Sequence, residues 1–119
     1  MKAIVLFAHG SRDPLWHRPI QAVAQRMKAQ QPEAVVTCAY LELSTPSLFD
    51  AVQALVDQGC QHIRLVPLFL GVGKHVREDL PQMLADLAAQ HPSVELETLP
   101  AVGEHPDVLD LLARIALHG

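Results

Sequence analysis

The sequence predicts an α/β fold: a single open, parallel four-stranded sheet flanked by helices, with strand order 2-1-3-4. Two observations predict it. Four apolar or β-branched runs begin at Ala3, Val35, His62 and Val94, spaced 32, 27 and 32 residues apart, and a stretch of helical period follows each. The first run, Ala3 to Ala8, is apolar at every position, as a parallel strand covered on both faces must be, which makes it central. Strands alternating with helices form right-handed crossovers, and that leaves few topologies. In the order 2-1-3-4 the chain reverses direction between the first and third strands, and ligands of such sheets sit there, outside the carboxyl ends.

The elements follow in order. Val35 to Leu41 and Ile63 to Leu70 read as further buried strands, whereas Val94-Glu95-Leu96-Glu97 alternates apolar with charged and reads as an edge exposed on one side. Trp16, Ile20, Val23 and Met27 recur at helical spacing and predict a core stripe on the first helix. Leu48, Val52 and Leu55 do the same for the second helix, Leu80, Met83, Leu84 and Leu87 for the third, and Val108, Leu111, Leu112 and Ile115 for the fourth. Pro46 is placed in the first turn of the second helix, and Gly59 follows that helix. Pro32 and Pro92 close the first and third.

Composition narrows the function. The chain of 119 residues fits one domain, residues 1–119. Its apolar runs break well short of the roughly 18 residues of a membrane span, and the first stops at His9 without a cleavage pattern, so the expected location is the cytoplasm, with no membrane partner. Cys38 and Cys60 lie 22 positions apart, outside any Cys-x-x-Cys spacing, and read as core filler. A net charge of -4 argues against nucleic acid as a partner, because phosphate binding needs a clustered positive field.

Three loops at the carboxyl ends hold the candidate chemistry: His9-Gly10-Ser11-Arg12, Glu42, and Gly71-Val72-Gly73-Lys74-His75. Neighbouring strands are ~4.8 Å apart, so three adjacent strand ends span ~10 Å and their side chains can converge on one ion. Two imidazoles and a carboxylate suit a first-row divalent metal and leave positions open for a substrate. Taken singly, each has a plainer reading. His9 can be a strand-end histidine bonded to backbone, Glu42 a solvated carboxylate near a helix start, and the glycines around His75 a tight strand-to-helix connection. Their joint placement is what marks them.

The glycine turn fails the nucleotide-binding patterns, so no nucleotide is expected there. A phosphate loop needs glycine five positions before Gly73 and Ser or Thr after Lys74, where this chain has Leu68 and His75. A dinucleotide fingerprint needs glycine at position 76, which is Val76. Backbone N–H groups at this helix start, with Lys74 and Arg77, can instead hold carboxylates. A histidine phosphatase also has His-Gly after its first strand but needs an arginine before it, where this chain has Ala8. A Gly-x-Ser-x-Gly elbow is missing as well.

With these residues the chain resembles the short form of the CbiX-type sirohydrochlorin chelatases, a branch of the class II chelatases with a flavodoxin-like half-domain. The likeness rests on His9-Gly10-Ser11-Arg12, on Tyr40-Leu41-Glu42-Leu43 before Pro46-Ser47, and on Val66-Pro67-Leu68-Phe69-Leu70 leading to Gly73, His75, Asp79 and Pro81. It implies insertion of Co2+, or in related members Fe2+ or Ni2+, into sirohydrochlorin without ATP, on the way to cobalamin or siroheme. His9 and His75 would be the metal-binding and catalytic pair, and Glu42 the additional carboxylate. Metal insertion expels two pyrrole protons, so the site needs a loosely held cation and a nearby base, and imidazole can be either. The substrate carries eight carboxylates; Arg12, Lys74 and Arg77 are candidates to meet them, with Ser11 and Gly73 beside them. The short form implies a homodimer. A non-catalytic metal or tetrapyrrole carrier would use the same His9, Glu42 and His75.

Overall fold

The computed structural model describes residues 2–119. Its elements are β1 (Lys2–Ala8), a 3-10 turn (Pro14–His17), α1 (Arg18–Gln30), β2 (Val35–Tyr40), α2 (Leu48–Asp57), β3 (His62–Pro67), α3 (Lys74–Gln90), β4 (Glu95–Thr98), a second 3-10 turn (Val102–Glu104) and α4 (Pro106–His118). The four strands form one parallel sheet in the order β2-β1-β3-β4, with β1 central and β4 at an edge, as the hydropathy patterns require. β2 and β3 are shorter than their apolar runs. β3 stops at Pro67, and Leu68 to Leu70 belong to the loop, although the Leu68 N–H still reaches the Phe7 carbonyl of β1.

Two apolar layers hold α1, α2 and α3 to the sheet. Ala3, Val5 and Phe7 on one face of β1 pack with Ile63 and Leu65 under Leu48, Val52 and Leu55 of α2 and Leu87 of α3. Leu6 and Ala8 on the other face meet Ile20 of α1 and Tyr40. Ser47 caps α2, its hydroxyl accepting from the Asp50 N–H, and Pro46 therefore sits before the helix rather than in its first turn. Gly59 takes φ +93, the left-handed conformation that glycine adopts without a Cβ clash, and ends the same helix.

One expected core stripe is core only in part, and another is not core. On α1 Ile20 is buried and Met27 packs partly buried against the same cluster, but Trp16 lies in the preceding 3-10 turn and is 51% exposed, and Val23 is 40% exposed. The indole tips over because its Nε1–H reaches the carbonyl of His9 at 2.9 Å, a partner the core could not offer. α4 buries none of its residues: Leu109, Leu111, Leu112, Ile115 and Leu117 are 42% to 77% exposed. The reason lies in the sheet. On the face of β3 and β4 opposite α3, His62 Nδ1 meets Glu95 Oε2 at 2.7 Å and Arg64 Nε meets Glu97 Oε2 at 2.9 Å, a charged surface that offers an apolar helix no seat. With α4 projecting, the radius of gyration is 14.8 Å, against about 13.5 Å for a compact domain of this length. Among the described residues no helix is long and apolar enough to cross a membrane, and Cys38 and Cys60 are free thiols.

Candidate active site

His9 follows the last residue of β1, where the ladder runs on past the strand ends. The Leu41 N–H donates to the Ala8 carbonyl at 2.8 Å and the Leu68 N–H to the Phe7 carbonyl at 2.7 Å. The loops after β1, β2 and β3 thus leave the sheet side by side at one rim. Gly10 is buried against the next loop so closely that a Cβ there would stand 1.8 Å from the Glu42 carbonyl oxygen. Only glycine permits that approach.

This contact places two side chains together. His9 Nδ1 lies 3.1 Å from Glu42 Oε1, with both side chains nearly half exposed. The carboxylate accepts only, so the imidazole donates from Nδ1 and the Nε2 lone pair is left for another partner. The His9 ring rests on Phe69, centroids 4.8 Å apart, and Phe69 is itself buried edge-on to Phe7. An aromatic floor therefore sets the height of the imidazole above the sheet.

His75 enters from the third loop. Gly73 is the N-cap of α3 with φ -68, so His75 stands in the first helical turn, at the positive end of the helix. It lines a cavity of about 170 Å3 together with Glu42, Asp79 and Met83. His9 opens instead on an adjoining cavity of about 240 Å3, walled by Trp16, Ile20 and Leu68. Glu42 thus touches His9 on one side and shares a wall with His75 on the other. Among the described residues no three His, Cys, Asp or Glu side chains stand close enough together to hold an ion at once, so the three-ligand set is not preassembled.

The other expected site residues divide. Arg12, Lys74 and Arg77 are exposed, and Arg77 borders an apolar groove of about 380 Å3 between α3 and the Leu99–Ala101 segment. Gly71 and Gly73 have open space where a Cβ would stand, so the packing does not demand glycine at either. Ser11 is already engaged: its hydroxyl accepts from the Asp13 N–H at 3.0 Å, and its backbone bonds to Ser44.

Sequence reasoning missed Ser44, His17 and the bonding role of Trp16. The Ser44 hydroxyl accepts from the Ser11 N–H at 3.0 Å and donates to the Ser11 carbonyl at 2.8 Å, and His17 Nε2 lies 2.9 Å from the same oxygen. No local pattern announces this group, because its members come from three separate segments. Among the titrating side chains nearby, burial raises the Tyr40 hydroxyl above its usual range, with Cys38 adding to the rise; burial also raises the Cys38 thiol, partly offset by Lys28.

The CbiX family model matches residues 3–117. A sirohydrochlorin cobaltochelatase of Methanocaldococcus jannaschii is 33% identical over 91 residues, 76% of this chain and 64% of that protein. A sirohydrochlorin ferrochelatase of Bacillus subtilis is 31% identical over 108 residues, 91% of this chain and 41% of that protein. The chain thus spans less than two thirds of the length of either. The crystal structure of a CbiX protein from Marinobacter aquaeolei VT8 superposes with a TM-score of 0.81 at 34% identity, covering 98% of this chain and 94% of that one.

Proposed function

Because this chain belongs to the CbiX family, we propose that it is a sirohydrochlorin chelatase, an ATP-independent lyase that exchanges two pyrrole protons for one divalent metal ion. The observation that carries the reading is the 3.1 Å pair of His9 and Glu42 on the rim that also bears His75. Glu42 fixes the His9 tautomer and leaves Nε2 to take the incoming ion or a pyrrole proton. His75 supplies a second imidazole. Two imidazoles with one carboxylate leave coordination positions open, which suits an ion that must be handed to four pyrrole nitrogens.

The metal is substrate here, with Co2+ the first choice and Fe2+ or Ni2+ the alternatives. Relatives bear both cobalt and iron names, and two imidazoles with a carboxylate accept any of the three. Arg12, Lys74 and Arg77 meet the carboxylates of the macrocycle, while Ser11 and the bare backbone at Gly73 let it lie close. The working form is a homodimer, to which the exposed apolar stripe of α4 contributes contact area. The free thiols of Cys38 and Cys60 fit the reducing cytoplasm.

Visible absorbance of sirohydrochlorin mixed with Co2+ and the protein tests the proposal. Turnover above the spontaneous rate, lost in His9→Ala and His75→Ala and reduced in Glu42→Gln, is the expected result. A stoichiometric spectral shift without turnover would instead establish a carrier.

A further inference from the structure

We infer that His17 is a positioning residue of this site, acting through Ser44 to hold the loops of His9 and Glu42 in register. The inference rests on the function proposed above. It starts from hydroxyl arithmetic: Ser44 has one proton and two lone pairs. The proton goes to the Ser11 carbonyl at 2.8 Å and one lone pair takes the Ser11 N–H at 3.0 Å. One lone pair remains, and His17 Nε2 faces it at 2.9 Å. The imidazole must therefore donate, which fixes the proton on Nε2; the other neutral tautomer would set lone pair against lone pair.

The ring is held for that task. It lies against the buried ring of Tyr40, centroids 4.6 Å apart and planes 34° from parallel. Its neighbour Trp16 donates Nε1–H to the His9 carbonyl at 2.9 Å, so the 3-10 turn grips both loops with consecutive side chains. Ser11 lies two residues from His9 and Ser44 two residues from Glu42. A hydroxyl released from His17 is free to rotate, and the reciprocal Ser11–Ser44 bonds that align His9 with Glu42 then lose their preferred arrangement. His17 is neither a ligand nor a base in this scheme, and it touches neither His9 nor Glu42 in the hydrogen-bond network.

His17→Ala, His17→Gln, Ser44→Ala and the double alanine variant test the inference, with Co2+ affinity from calorimetry and kcat and KM from sirohydrochlorin absorbance. Losing the direct hydrogen-bond partner of a metal-handling histidine costs roughly 10- to 100-fold in metal affinity or activity; His17 stands one bond further out, through Ser44, so its loss falls at the low end, roughly 10-fold. His17→Ala is expected to show that loss in Co2+ affinity and in kcat, with the KM for sirohydrochlorin unchanged. Gln carries an N–H donor at comparable reach, and His17→Gln is expected to recover most of the loss. The double variant should be no worse than Ser44→Ala alone, because the two residues act as one unit. Co2+ affinity and kcat within twofold of wild type in His17→Ala overturn the inference. So does a loss that tracks falling thermal stability and is not recovered by Gln, which would mark His17 as merely structural. A wild-type protein that binds Co2+ but turns nothing over defeats the chelatase reading, while the affinities still decide the role of His17.

Discussion

Gly10→Ala is the most incisive single substitution, because it attacks the backbone contact from which the His9–Glu42 pair is built. The new Cβ would stand 1.8 Å from the Glu42 carbonyl oxygen, 2.8 Å from Ser44 Oγ and 3.0 Å from the Glu42 carbonyl carbon. Ordinary contact is about 3.5 Å, so the two loops must part by ~1.5 Å. Backbone cannot swing aside as a side chain can. A hydrogen bond of 3.1 Å between His9 and Glu42 does not survive that displacement. Overpacking costs ~1–3 kcal/mol and each of the two Ser11–Ser44 bonds ~1 kcal/mol, for a loss of ~3–5 kcal/mol. For a chain of this size that lowers the melting temperature by roughly 12 to 20 °C. A misplacement of about 1 Å at a reacting group costs on the order of 100-fold in turnover. Thermal unfolding and the sirohydrochlorin assay measure both. Gly59→Ala is the control: its φ of +93 strains an alanine, but nothing lies within 4 Å of the new Cβ. It should lose ~1–2 kcal/mol of stability and no activity. Wild-type melting and turnover in Gly10→Ala would refute the account of how the site is held together.

A matching contact occurs on the far side of the rim, where a Cβ on Gly103 would stand 1.7 Å from the Leu70 carbonyl oxygen; Gly103→Ala should lose ~1–3 kcal/mol of stability in thermal unfolding. Glu97 is held below its ordinary value of 4.5 by its hydrogen bond from Arg64, so the stabilisation is full above that value and is lost as pH falls through the lower folded-state value. Arg64→Ala should flatten that acid limb in melts between pH 3 and 6 and leave the neutral-pH curve the shape it had. If the proposed homodimer forms through exposed α4, Leu112→Asp combined with Ile115→Asp should leave the sheet intact and shift sedimentation from dimer to monomer; an unchanged sedimentation coefficient would remove α4 from the interface.

Much of the architecture was legible because hydropathy reports burial directly. Unbroken apolarity from Ala3 to Ala8 could only be a strand with both faces covered, and the alternation of Glu95 and Glu97 with Leu96 could only be an edge. From strand order alone, His9, Glu42 and His75 fall on one rim. Periodicity misled where an apolar residue had another partner. Trp16 counted as core, yet its N–H needed an acceptor and found the His9 carbonyl. The α4 stripe counted as core, yet none of it is buried, and the face of β3 and β4 opposite α3 carries the His62–Glu95 and Arg64–Glu97 pairs instead of apolar side chains. Ser44 and His17 left no trace in the sequence, since a hydroxyl shared by three segments exists only once the loops have met. Gly10 was visible as part of a motif, but its reason, a carbonyl pressed against its α-carbon, is purely tertiary.

The projecting α4 has a thermodynamic consequence of its own. Its 13 residues sit at the length where a helix in water is marginal, and none of its side chains is buried to tip the balance. In the proposed homodimer its order follows mass action: the second copy that covers Leu111, Leu112 and Ile115 stabilises the helix by an amount that grows with the logarithm of concentration. Dilution should fray this one element while the sheet stays folded, so that part of the secondary structure of this protein is a property of the solution and not of the single chain.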